Sequence, residues 1–186
     1  MRIAHFVKGI GSGIVSFVVA LLIVSGCGSH SDGAVAPVSE EGITVYFSPQ
    51  TDCSDVIVGQ IHAAEKQVLV QAYSFTSERI ARAIVDAHKR GVNVQVILDS
   101  EKVDKKSELN FLAKRGIETY VDSKHEKAHN KVILIDGKTI VTGSFNFTDE
   151  DRDTRADNVL VITGRPKLIE AYERNFRDHL SHSVRE

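Results

Sequence analysis

Short aliphatic runs of strand length alternate with segments of helical periodicity along most of the chain, and this alternation restricts the fold to the α/β class. Residues 43–47, 68–73, 92–98, 117–121 and 158–162 are rich in Val, Ile, Leu, Thr or Tyr and too short for helices. Between them, residues 53–66 carry Val56, Ile57, Gln60, Ile61 and Ala64 at helical spacing. Ser77 predicts the N-cap of a helix with Ile80, Ala81, Ile84 and Val85 inward, closed by Gly91. Ser107 is placed to cap a short helix through Lys114, ending at Gly116. Pro166 suits the first turn of a C-terminal helix reaching to about Leu180. The expected architecture is a mixed, mostly parallel β-sheet flanked by helices, without internal repeats.

Chemistry concentrates in one stretch. His129 and Lys131 lie two residues apart at the head of the apolar run 132–135, so in an extended strand they share a face. Asp136-Gly137 is a hairpin signal, and residues 139–142 return the chain. Gly143 ends that strand, after which Ser144 and Asn146 again stand at i and i+2. A nucleophile, a cation and two hydrogen-bonding groups thus converge on a small anion such as a phosphodiester. Asp136, at an odd offset from His129, faces away from it, and the Asp-Gly turn explains its presence structurally.

The pattern His-x-Lys-(x)4-Asp-(x)6-Gly-Ser-x-Asn resembles the signature of the phospholipase D superfamily, with every fixed position matched. The segments Val45-Tyr46-Phe47-Ser48-Pro49, Gln71-Ala72-Tyr73-Ser74-Phe75-Thr76, Arg90-Gly91-Val92 and Asp157-Asn158 resemble its single-motif bacterial endonuclease branch. The resemblance covers roughly residues 43–180. It implies a metal-independent phosphodiesterase working through a covalent phosphohistidine on His129. Lys131, Ser144 and Asn146 would hold the phosphate oxygens, and Asp157, where the family usually has glutamate, would orient His129. No cofactor is implied. A single motif also implies a twofold homodimer with the two His129 side chains meeting at the axis.

The ends of the chain point to export. Arg2 and Lys8, the apolar residues 14–24 and Val24-Ser25-Gly26-Cys27 read as a signal peptide over 1–26. Its ending resembles a bacterial lipobox, with Cys27 lipidated as a membrane anchor. An ordinary cleaved signal and an uncleaved anchor are the other readings, and all three export the domain. Residues 27–42 read as a flexible tether, and 43–182 as the phosphodiesterase domain. With Cys27 acylated, Cys53 has no partner in the chain and reads as a small core residue or free thiol.

Net charge is −2 over the whole chain, and without the basic signal it falls to −4. A strongly basic footprint on nucleic acid is therefore absent, although a local basic cleft is compatible with that sum. No Cys and His pattern at zinc-ligand spacing is apparent. His125 reads as a solvated loop residue, His62 and His88 as surface residues, and His179 and His182 as part of a polar C-terminus. Tyr73 and Phe75 suit either base stacking or core packing. Three functions remain open: a non-specific endonuclease on DNA or RNA, a phospholipase D acting on phosphatidyl head groups, and a non-catalytic binding module. The polar loops 122–128 and 147–156 favour nucleic acid. The intact His129, Lys131, Ser144 and Asn146 set argues against a pure binder.

Overall fold

Apolar runs separated by helices and one tight hairpin assemble into a nine-stranded sheet in the order β1-β2-β8-β7-β6-β3-β4-β5-β9. The strands are β1 (Val38–Glu40), β2 (Ile43–Phe47), β3 (Gln67–Ala72), β4 (Asn93–Asp99), β5 (Glu118–Asp122), β6 (Lys131–Ile135), β7 (Thr139–Gly143), β8 (Asn158–Thr163) and β9 (Val184–Arg185). The helices are α1 (Cys53–His62), α2 (Glu78–Lys89), α3 (Leu109–Ala113) and α4 (Pro166–Leu180). This computed structural model describes residues 37–149 and 154–186. The expected signal, Cys27 and tether residues 27–36 lie outside the described residues. The rest of the expected tether is not loose: β1 pairs with β2 through a turn with Glu41 and Gly42 at positive φ.

The mixed, helix-flanked sheet is as expected, but its balance is not. Only β3–β4 and β4–β5 pair in parallel; the other neighbouring pairs are antiparallel. Parallel neighbours need a crossover, and here α2 and α3 supply those two. Elsewhere hairpins or returning strands bring neighbours together, which corrects the expectation of a mostly parallel sheet.

The central strands are buried on both faces, as strands covered by helices must be. One core contains Val68, Val70 and Ala72 of β3 with Ile57 of α1, Ile84 of α2 and Leu112 of α3. The alternate residues Leu69, Ile97, Val132 and Leu134 pack with Ile169 and Phe176 of α4 on the other face. Cys53 is a buried free thiol in the first core, and burial pushes its pKa up to about 11. Ser77 caps α2 by accepting the N–H of Ile80, as expected. Ser107 does not cap α3; its hydroxyl donates to the carbonyl of Asp104, and α3 begins and ends one residue inside the expected bounds.

Strand directions gather one end of the sheet. The carboxyl ends of β2, β3, β4, β5 and β7 lie beside the amino ends of β6 and β8. In open α/β sheets this is the end where ligands bind.

Candidate active site

Lys131 opens β6, opposite Ala72 on β3, and His129 precedes it, tied to the neighbouring strand by the N–H of Tyr73 donating to the carbonyl of Asn130. The i, i+2 spacing acts as expected: Lys131 Nζ lies 3.2 Å from both Nδ1 and Nε2 of His129. The imidazole is exposed, whereas Lys131 is only 8% exposed. Burial lowers the Lys131 pKa from its ordinary value, while the charge of Asp157 works in the opposite direction. Behind the pair stands Tyr73, whose ring centroid is 4.3 Å from that of His129. Lys131 Nζ lies 5.1 Å from the centre of the Tyr73 ring and Lys102 Nζ lies 5.0 Å from it. Tyr73 therefore faces the site, and Phe75, two residues on, is core against Phe147.

The returning strand delivers the second group of side chains through a sharp local distortion. The N–H groups of Ser144 and Phe145 both point at the carbonyl of Asn158, at 3.2 and 3.3 Å. A Cβ on Gly143 would stand 2.1 Å from that oxygen, so only glycine fits. Phe145 and Phe147 then enter the core and leave Ser144 and Asn146 on the other side of the chain. Ser144 Oγ donates to Asp157 Oδ1 at 2.7 Å and accepts the backbone N–H of Asn158 at 3.1 Å. Among the described residues, Asn146 Oδ1 is buried without a hydrogen-bond partner, an unmet acceptor of a kind that costs stability.

Asp157 is held by Ser48, whose hydroxyl accepts its N–H at 2.9 Å. Among the described residues its carboxylate bonds to Ser144, with no hydrogen bond to His129. Its reach to the reacting pair is through Ser144 and through its charge on Lys131. Asp136 sits at the opposite end of β6. It accepts three backbone N–H groups, from Glu65 at 2.9 Å, Lys66 at 2.7 Å and Gln67 at 2.8 Å. Burial works to raise its pKa, but those three bonds together hold the carboxyl below the usual carboxylate range.

Two site residues carried no signal in the sequence. Asp99, fully buried at the end of β4, accepts the backbone N–H of Ala128 and so pins the chain immediately before His129. Lys102, in the turn that follows Asp99, adds a second cation to the Tyr73 ring. Neither lies in a recognisable motif, since both depend on β4 ending beside β3. The polar C-terminus is more than a surface tail: the side chains of His179 and His182 are 13% and 19% exposed, and both reach Asp122.

Residues 57–180 match the family described as cardiolipin synthase, PLD-like domain. A protein named phospholipase D from Rickettsia prowazekii is 38% identical over 144 residues, covering 77% of this chain and 70% of that protein. Its namesake from Rickettsia conorii is 36% identical over 143 residues, 76% of this chain and 71% of that protein. The crystal structure of Nuc from Salmonella typhimurium, a phospholipase D family member, superposes with a TM-score of 0.74 and 32% identity, over 81% of this chain and 99% of its own. Helicobacter pylori NucT shares the fold, at a TM-score of 0.71 and 24% identity over 77% of this chain and 98% of its own.

Proposed function

The chain belongs to the phospholipase D superfamily of hydrolases, and we propose that it is a metal-independent phosphodiesterase acting on nucleic acid as a non-specific endonuclease. The observation that carries this reading is the exposed His129 imidazole with a buried ammonium 3.2 Å from both its nitrogens. A ring nitrogen of His129 attacks phosphorus while the bond to the leaving oxygen breaks. The His129 of a twofold partner gives its proton to that oxygen, then takes one from the water that hydrolyses the phosphohistidine. Lys131 and the amide N–H of Asn146 hold the non-bridging oxygens, where an ammonium in a desolvated site is most effective, and Ser144 joins them by turning its one hydroxyl proton from Asp157 to phosphate. Asp157 sets the Ser144 hydroxyl and balances the Lys131 charge. The partly exposed Tyr73 ring, with Lys102 Nζ at 5.0 Å and Lys131 Nζ at 5.1 Å from its centre, suits a stacked base beside the scissile phosphate. Lipidation at Cys27 would hold the exported enzyme at a membrane, on its periplasmic or cell-surface side.

A second reading, phospholipase D activity on phosphatidyl head groups, draws support from the name borne by the Rickettsia relatives. The full chain, with EDTA present, is incubated in parallel with plasmid DNA, RNA and phosphatidylcholine vesicles. Nicked plasmid or degraded RNA with intact vesicles supports the nuclease. Head-group release with both nucleic acids untouched overturns it in favour of the lipid enzyme.

A further inference from the structure

Away from His129, the fold collects four potential metal ligands from segments nearly sixty residues apart. Asp122 ends β5, His125 follows in the loop, His179 occupies the last turn of α4 and His182 lies just beyond. One ligand atom from each falls within 4.8 Å of all the others. Asp122 Oδ2 lies 2.6 Å from His179 Nδ1 and 3.3 Å from His182 Nε2. The three imidazole centroids are 5.0, 5.4 and 5.3 Å apart, nearly an equilateral triangle. A tetrahedral ion at about 2.0–2.1 Å from each nitrogen places ring centroids roughly 5 Å apart, so the rings already stand at metal-site spacing. The carboxylate is prepared in the same way: fully buried, with Oδ1 fixed by the N–H of Lys124 at 3.0 Å and Oδ2 turned to the rings. Among the described residues, one carboxylate oxygen faces two imidazoles, and the His125 ring packs beside both of them.

We propose that Asp122, His125, His179 and His182 form a structural site for a divalent transition ion of the zinc class. Three imidazoles and one carboxylate complete a tetrahedral shell and leave no open position, the mark of a structural rather than a catalytic zinc. The ion clamps the end of α4 to β5 and fastens the loop at His125, four residues before His129. Together with the Asp99 bond to Ala128, the loop leading to the nucleophile is then anchored twice. The ion touches no reacting group, so the phosphoryl chemistry remains free of metal.

The test uses the full chain without an affinity tag, stripped of metal and titrated separately with zinc and cobalt. One equivalent of zinc per chain, a rise in melting temperature on loading, and visible cobalt absorption of tetrahedral intensity that zinc abolishes are expected. His125→Ala and His182→Ala should each weaken zinc binding by roughly 100-fold. His129→Ala and His88→Ala should leave it unchanged. Equal zinc affinity in wild type, His125→Ala and His182→Ala overturns the site, as does loss of binding in His129→Ala alone. Because His125 is exposed, its variant reports on binding even if an Asp122 variant fails to fold. Metal content and spectra are read without substrate, so this result is independent of the nuclease assay.

Discussion

The two ends of β6 lie within one motif and do opposite work. At its tail, Asp136 has its oxygens engaged by three backbone N–H groups and makes a rigid bracket between the hairpin and the start of β3. At its head, Lys131 is stripped of water beside the exposed imidazole of His129. Polar groups that stabilise a fold are satisfied within it. Polar groups that meet a ligand are left incomplete, and the protein carries that cost until substrate arrives.

The comparison can be broken by exchanging the consequences of mutation at the two ends. His129→Ala should reduce phosphodiester hydrolysis by roughly 10⁴-fold or more, with a melting temperature near that of the wild type, because the ring is exposed. A parallel loss of stability would place His129 with the bracket instead. Lys131→Met keeps the buried stem and removes the ammonium. Activity should fall by roughly 10²–10³-fold while stability stays level or rises. Asp136→Asn reverses the pattern, with about 2 kcal/mol lost in urea unfolding and near-normal turnover per folded molecule. Its pH dependence sharpens the contrast. The folded carboxyl has the lower pKa, so its stabilisation is complete above the unfolded value of about 3.9 and fades as pH falls through the folded value. Acid unfolding of Asp136→Asn should lose that component. Smallest is Ser144→Ala, roughly tenfold in kcat/KM, because its one hydroxyl proton only exchanges a charged acceptor, Asp157, for another, the phosphate oxygen.

Sequence periodicity located the helices and inner strands because burial demands it: a strand covered on both faces has to read as Gln67-Val68-Leu69-Val70-Gln71-Ala72 or Lys131-Val132-Ile133-Leu134-Ile135. The outer strands escaped, since Val38-Ser39-Glu40 and Val184-Arg185 are exposed, two or three residues long, and carry no such demand. Within the site, His129, Lys131 and Ser144 were legible as a local pattern on one hairpin. Asp99, Lys102 and the histidines around Asp122 were not, because only the β3-β4-β5 order and the return of α4 across the sheet bring them to their partners. The pairing of Asp157 with Ser144 rather than His129 depends on where β8 begins relative to the Gly143 distortion, a matter of ångströms.

Those slight outer strands also govern how the molecule meets its own kind. A long bare edge would recruit further strands from neighbouring copies and lead to fibrous aggregates. Here each outermost strand offers at most three residues, with Glu40 at one margin and Arg185 at the other. Growth of the sheet from chain to chain therefore has almost no template. Among the described residues, self-association is thereby steered away from the sheet margins, and the open end that carries His129 stays clear of them.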